Sequence, residues 1–437
     1  MSSTLALTVG LLALVGLLLT GVPIYLGFLL LNGAGIWYFF GSSGAGLFVN
    51  SVVDSLTSLN MTTIPLFVLM GEILFRSGAV EVVFDSVDRM IGRMRGRLYV
   101  FTIALSTVFG ALCGSAVAVV ALLGRSVLPI MHKRGYDIKL SAAVIQGGAS
   151  LAPIIPPSLM AVIIGSMANV SISGLLVAGI LPGLLLAGLS ITYVYWMLWR
   201  DPGLAPREDA SSAGSPRTGR LRALLNLLPF LFIIFSVMGL MLLGIATPSE
   251  SAATGVVGSI VTAAYYRKLS LRMLRESIAS ATRISTMILI IVAASILFGQ
   301  LLAFTGATTD LVNWVTKLDV HPQIMFWLLM VVPFIICMFI DQLAFMLVAI
   351  PLYAPVVSTM GYDPIWFWTQ FSINMTLASL TPPFGYTMYA LRAAAPDLIT
   401  LKQVFDASWP ITWVFVIGMV VMTAVPGIIT IVPQLLK

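Results

Sequence analysis

Long apolar runs separated by short polar stretches make up almost the whole chain. They fall near 5–20, 22–40, 64–77, 97–131, 140–167, 171–199, 223–245, 248–266, 279–304, 322–357, 364–393 and 409–433. About 20 apolar residues in helical form cross a bilayer core, so the pattern predicts a polytopic helical membrane protein. The strands of about 10 alternating residues that mark a membrane barrel are absent. Runs 97–131 and 322–357 are too long for one helix. The first has basic residues at both ends, so one helix cannot serve it. It reads as two tight crossings or as a re-entrant hairpin with its tip at 110–115. The second has an acid, Asp341, in its middle. Hairpins are preferred, because each arm has about 16 residues, short of the ~20 a span needs. Irregular backbone at membrane depth is tolerated where it lines a cavity.

Basic residues set the sidedness. Five stretches, 76–97, 132–139, 200–222, 267–283 and 392–402, hold 20 of the 23 Lys and Arg, which predicts that they are cytoplasmic. Stretches 41–63, 168–173, 305–321 and 358–365 then lie outside, and both termini are predicted periplasmic. Stretches 79–96 and 306–320 read as interfacial helices. Trp196, Trp199, Trp366 and Trp368 lie near run ends and read as interface anchors. No basic segment precedes the first run, which therefore reads as a retained anchor.

Composition narrows the function. The 437 residues are 59% hydrophobic and 9% charged, where a soluble chain carries about 25% charged residues. This excludes a soluble enzyme and a disordered protein. The net charge of +6 lies between apolar runs and is no nucleic-acid footprint. Cys113 and Cys337 sit in separate runs, so no disulfide framework is indicated. His132 and His321 lie at run ends, and metal catalysis is not expected. No G-x-x-x-x-G-K-[ST] run is present, so energy must come from an ion gradient or another subunit.

The two halves resemble each other at an offset of 226 residues. Gly135-Tyr136-Asp137 matches Gly361-Tyr362-Asp363, and the proline pair Pro156-Pro157 matches Pro382-Pro383. Leu151-Ala152 matches Leu377-Ala378, and Pro129 matches Pro355. Loop 132–139 is basic, whereas 358–365 holds only Asp363 as a charge. The halves are therefore read as inverted repeats: 1–199 and 223–437, joined by a cytoplasmic linker at 200–222. Each repeat has five crossings, one re-entrant hairpin and one broken helix. Inverted repeats with broken helices are a secondary-transporter architecture.

The proline pairs interrupt apolar spans. Proline removes an N–H and clashes with the carbonyl four residues back, so carbonyls near Ala152 and Ala378 lose helical partners. Such oxygens can coordinate Na⁺. The half-helices that follow, from Ser158 and from Pro383 and Gly385, can turn their N-terminal ends to an anionic substrate. A simple proline kink is the plainer alternative. Asp341 is an intramembrane acid without a nearby basic residue in sequence, and its repeat equivalent is Ser115. It either accepts bonds from tip amides or binds a cation. Glu72 is expected to pair with Arg76, four residues on. Thr247-Pro248-Ser249-Glu250 reads as a capping box. Arg125 either snorkels to the basic side or faces the substrate path.

The stretches at 64–72, 114–118, 152–158, 246–253 and 380–385 together resemble the large membrane subunit of tripartite ATP-independent periplasmic (TRAP) transporters, the DctM-like family. The resemblance covers almost the whole chain. It implies Na⁺-driven uptake of small organic acids by an elevator mechanism in a bacterial or archaeal inner membrane. It also implies two partners: a small four-helix membrane subunit and a periplasmic substrate-binding protein. Carried over, the family's cation sites fall on Cys113, Gly114, Ser115, Ala152, Ile155 and Pro157, and on Cys337, Asp341, Ala378, Thr381 and Phe384. Four positions depart from the family pattern. Cys113 replaces a serine, Ala152 and Ala378 stand where glycine is usual, and Arg125 is unusual in its hairpin arm. Cysteine is a poor Na⁺ ligand, which leaves the first site to backbone oxygens or to weaker binding. The rival reading is a stand-alone ion-coupled carboxylate symporter. A channel or an intramembrane enzyme would need acid rings or a nucleophile–base pair at depth, and neither is present.

Overall fold

A computed structural model describes residues 8–435 except 11, 15, 18–19, 78–94, 207–216 and 384; for 111–113 and 217–227 it describes the backbone alone. The described residues are helical almost throughout. The first half runs α1 (Ile24–Phe40), α2 (Ala45–Thr57), α3 (Leu59–Arg76), α4 (Arg97–Cys113), α5 (Ala116–Ser126), α6 (Leu128–Lys133), α7 (Ile138–Ala149), α8 (Leu159–Ala168), α9 (Ile172–Ala178) and α10 (Ile180–Arg200). The second runs α11 (Arg217–Leu242), α12 (Pro248–Tyr265), α13 (Leu271–Phe304), α14 (Ala307–Lys317), α15 (Pro322–Cys337), α16 (Gln342–Thr359), α17 (Pro364–Ser379), α18 (Tyr386–Ala394), α19 (Leu401–Ala424) and α20 (Gly427–Gln434). Among the described residues, seven helical segments are long and apolar enough to cross a membrane. The chain is an all-helical, multi-pass membrane protein.

Several boundaries differ from the sequence expectation. The stretch 41–63 is not a loop: α2 fills most of it, and its polar Ser51 and Ser55 are buried. The run at 171–199 breaks at Gly179, where a Cβ would meet the Ile154 carbonyl oxygen at 2.2 Å. α11 starts at Arg217, inside the expected linker. Trp366 and Trp368 are packed inside rather than anchored at an interface, while Trp196 and Trp199 are exposed. The stretch 79–96 lies almost wholly outside the described residues.

The same local devices build both halves. Gly135 and Gly361 take left-handed φ values of 78° and 69°, which glycine adopts without a Cβ penalty. Asp137 and Asp363 then cap α7 and α17, accepting from the N–H groups of Leu140 (2.7 Å) and Trp366 (2.9 Å). The tyrosine between them reaches the first hairpin arm of its own half. Tyr136 Oη accepts from the Leu98 N–H, and Tyr362 Oη donates to the Pro322 carbonyl. The Gly-Tyr-Asp motif thus ends one helix, starts the next and ties both to a hairpin.

Packing sorts the helices into two groups. α3 lies between α12 and α13, with α1 and α2 also against α13 and α11 against α12. The hairpin and broken-helix elements pack with one another: α4 on α7, α15 on α17, and α19 across α7 and α10. The halves interlock here, because α5 packs on α18 and α16 on α8. Buried amides fasten α19 to both broken helices. Gln146 Oε1 accepts from Ser408 Oγ at 2.8 Å, and Gln370 Nε2 donates to the Met419 carbonyl and to Thr423 Oγ1.

Candidate functional site

Each hairpin turns through a short non-helical tip. Gly114 supplies a left-handed residue (φ 61°) after α4, and Ser115 caps α5 by accepting from the Ala118 N–H. In the second hairpin Asp341 does the same for α16. Its Oδ1 accepts from the N–H groups of Leu343 (2.9 Å) and Ala344 (3.2 Å). Ser115 and Asp341 are the repeat equivalents noted in the sequence, so one position serves one task with a neutral cap and a charged one.

Each broken helix opens beside a tip. In the first, a Cβ on Gly110 would lie 2.6 Å from the Ala152 Cα, so hairpin backbone and break lie in direct contact. This contact accounts for alanine at 152: the missing side chain at Gly110 makes room for its methyl. A Cβ on Gly114 would lie 3.8 Å from the Pro157 carbonyl oxygen and from the Leu159 nitrogen. The carbonyls of the break are re-satisfied unevenly. Leu151 accepts from Ile154 and Ile155, and Pro153 accepts from Ser158 Oγ. Among the described residues no donor reaches the buried Ala152 carbonyl. The Ile155 side chain fills the notch at Gly183 of α10; being hydrocarbon, it has only its backbone carbonyl to offer the first site. Cys113 ends α4, and its side chain lies outside the described residues.

The second break follows the same plan, and both proline pairs carry a cis bond. Thr381 is buried; its Oγ1 donates to the Leu377 carbonyl (2.7 Å) and lies 3.3 Å from Thr412 Oγ1 of α19. The Ala378 carbonyl accepts from the Thr381 N–H, and Thr387 Oγ1 donates to the Ser379 carbonyl. Cys337 is buried at the end of α15. Asp341 is exposed at its tip, and no hydrogen bond joins it to Thr381 among the described residues. Phe384 lies outside them.

The tips meet in a cavity of about 400 Å³. The first hairpin supplies Gly114, Ser115, Ala116, Val117 and Ala118, with Pro157 of the first break and Leu159 and Met160 after it. The second hairpin supplies Asp341, Gln342 and Leu343, with Tyr386 just past the second break. α3 contributes Phe67, Val68, Met70, Gly71, Glu72 and Phe75, and α13 contributes Ile284, Met287 and Ile288. Mostly apolar walls with a few convergent polar groups are usual for a small-molecule site. Glu72 is paired from behind with Arg76 at 3.0 Å, and Arg76 also reaches Glu276 at 3.2 Å.

Ser158, Pro383, Gly385 and Arg125 are not among the residues lining this cavity. Ser158 spends its hydroxyl on its own break and on capping α8, accepting from the Ala161 N–H. Pro383 is exposed, and Gly385 is pressed against the Ser379 carbonyl. Arg125 is exposed in the last turn of α5, beside Gly124, which packs on Leu391 and Ala394 of α18. The cavity instead takes their chain neighbours Pro157, Leu159 and Tyr386. Sequence reasoning located the breaks and missed Tyr386, Gln342 and the α3 and α13 walls.

The comparisons agree with this architecture. The family described as "Tripartite ATP-independent periplasmic transporter, DctM component" matches residues 11–428. The ectoine/5-hydroxyectoine TRAP transporter large permease of Ruegeria pomeroyi is 29% identical over 392 residues, 89% of either chain. The C4-dicarboxylate TRAP transporter large permease of Pseudomonas aeruginosa is 26% identical, over 86% of each chain. The 2,3-diketo-L-gulonate large permease of Escherichia coli is 27% identical, over 87% of this chain and 88% of its own. Among solved structures, the YdaH transporter of Alcanivorax borkumensis shares the fold, with a TM-score of 0.64 at 14% identity over 88% of each chain.

Proposed function

The chain belongs to the DctM component family of tripartite ATP-independent periplasmic transporters, which are transporter permeases and not enzymes, and we propose that it carries a small organic acid into the cell by Na⁺-coupled symport. In this reading a periplasmic substrate-binding protein delivers the acid. A small four-helix membrane subunit completes the complex in the inner membrane, with both termini of the large subunit on the periplasmic side. The observation that carries the proposal is the meeting of both hairpin tips at one cavity, with Pro157 of the first break and Tyr386, just past the second, in its lining. Relatives named for C4-dicarboxylate, 2,3-diketo-L-gulonate and ectoine transport support a small organic acid as cargo.

The donor chemistry fits Na⁺ as the co-transported ion. Sodium prefers hard oxygen ligands. The Ala152 carbonyl is a buried acceptor without a donor among the described residues, and Thr381 offers a buried hydroxyl beside a second one, Thr412. We assign the first ion to Ala152, Pro157 and the Gly114–Ser115 tip, and the second to Ala378 and Thr381, with Asp341 supplying negative field. The two packing groups support an elevator: hairpins and broken helices carry the tip side of the cavity past α3 and α13, and α1–α3 with α11–α13 stay fixed. Equivalent tips that line one cavity support repeats with re-entrant hairpins, and the opposite charge of loops 132–139 and 358–365 supports their inversion.

The test is uptake into vesicles holding the large and small subunits, with the binding protein added outside. Uptake should require an inward Na⁺ gradient and the binding protein together. Uptake that persists when K⁺ replaces Na⁺ refutes the coupling. Uptake at the same rate without a binding protein returns the stand-alone symporter.

A further inference from the structure

Positive charge is concentrated at the corner between α12 and α13, and the ion pairs among the described residues leave most of it unpaired. The turn is closed by its own backbone: the N–H groups of Arg267 and Lys268 donate to the carbonyls of Ala264 and Ala263, and Arg267 holds a left-handed φ of 54°. Both side chains leave an ordered turn and are exposed. Arg272 and Arg275 follow, also exposed, in the first turns of α13. The acid in this stretch, Glu276, is already shared, 2.9 Å from Arg272 and 3.2 Å from Arg76. Arg267, Lys268 and Arg275 make no ion pair among the described residues.

Large apolar side chains are interleaved with these charges. Tyr265, Leu271 and Ile278 are 65%, 85% and 52% exposed. The length of α13 fixes their depth. Its 34 residues extend about 51 Å at 1.5 Å per residue, against a hydrocarbon core of about 30 Å. Part of the helix must therefore lie outside the core, and the basic first turns are the part suited to the headgroup layer.

We propose that this corner binds the headgroup of an anionic phospholipid. Guanidinium and ammonium groups take phosphate oxygens through charge-assisted hydrogen bonds, and Tyr265, Leu271 and Ile278 give the glycerol and acyl segments an apolar wall. Juxtamembrane basic clusters attract anionic leaflets in this way. A nucleic acid would use the charges but offer nothing apolar to Leu271 and Ile278, whereas a phospholipid matches both, its phosphate to the charges and its acyl chains to the apolar side chains. A lipid held here would brace the α12–α13 edge of the fixed group of helices.

The test compares phosphatidylglycerol with phosphatidylcholine on the purified full-length chain, by native mass spectrometry and by thermal unfolding. Phosphatidylglycerol should bind and raise the unfolding midpoint where phosphatidylcholine and inorganic phosphate do not. The triple variant Arg267→Gln, Lys268→Gln, Arg275→Gln should bind phosphatidylglycerol at least about tenfold more weakly, since each basic residue near a charged leaflet contributes severalfold. Its midpoint in phosphatidylcholine should stay that of the parent. The charge-keeping variant Arg267→Lys, Arg275→Lys should retain the preference. Equal stabilisation by both lipids, an equal effect of inorganic phosphate, or an unchanged lipid preference in the triple variant overturns the proposal.

Discussion

Asp341 combines two tasks that substitution can separate. Its Oδ1 caps α16, and its charge faces the cavity. Asparagine caps about as well as aspartate, so Asp341→Asn should keep near-normal abundance in the membrane while uptake falls steeply. Asp341→Ala should lose the cap as well, about 1 kcal/mol, and lower the unfolding midpoint. Normal uptake by Asp341→Asn would reduce the carboxylate to a cap. Thr381→Val keeps the shape and removes one hydroxyl. It should raise the Na⁺ concentration for half-maximal uptake and harm less than Asp341→Asn, because a charge-assisted bond is worth roughly 1.5–3 kcal/mol against ~1 for a neutral one. An unchanged Na⁺ dependence at normal abundance would demote the second proline pair to a kink. Gly110→Ala tests the first break. Its Cβ would lie 2.6 Å from backbone at Ala152, a clash that no rotamer relieves, and overpacking of this kind costs about 1–3 kcal/mol. Adding Ala152→Gly removes only the methyl at 2.9 Å and leaves the Cα and nitrogen in place, so it should recover at most a small part of the lost thermal stability; a Gly110→Ala variant as stable as the parent would mean that the two backbones do not touch.

At the scale of elements, the chain announces its breaks and conceals its walls. The Pro-Pro pairs, the Gly-Tyr-Asp motifs, the Glu72–Arg76 pair and the Thr247–Glu250 capping box are local chemistry, set within a few residues, and the structure shows each in place. The helical content of 41–63 was not legible, because Ser51, Ser55 and Asp54 read as polar loop until tertiary packing buries the serines. The cavity residues were off by one position at each break. A cap residue such as Ser158 turns its hydroxyl back onto its own helix, so the neighbour faces the space. Met287 and Ile288 look like any other apolar positions in a span, and only the packing of α13 beside the tips sets them on the wall. Sidedness rests on charge, and it gives a direct check. A single cysteine in 132–139 should be reached by an impermeant thiol reagent only after the membrane is opened, whereas one in 358–365 should react from outside. Equal labelling of both would rule out the inverted repeat.

On the scale of the whole molecule, the division into two packing groups becomes a mechanical claim. The group proposed to move is held together by contacts that cross the halves: α5 on α18, α16 on α8, and α19 fastened to α7 by Gln146. The group proposed to stay fixed is α3 with its flanking helices. The groups meet where α3 borders α4 and α8 and where α13 borders α16, and the cavity lies on that seam. Sliding must change these contacts while leaving those inside each group intact. Phe67 of α3 and Met160 of α8 both line the cavity and belong to different groups. Cysteines placed at these positions and joined by a short bifunctional thiol reagent should stop uptake, with binding-protein docking unchanged. A matched crosslink within the moving group, between α7 and α19, should leave uptake within about twofold of the parent, because an elevator carries both helices together. Full transport by the α3–α8 crosslinked protein, or equal arrest by both crosslinks, would show that the cavity is opened by local rearrangement and not by the passage of one rigid group past another.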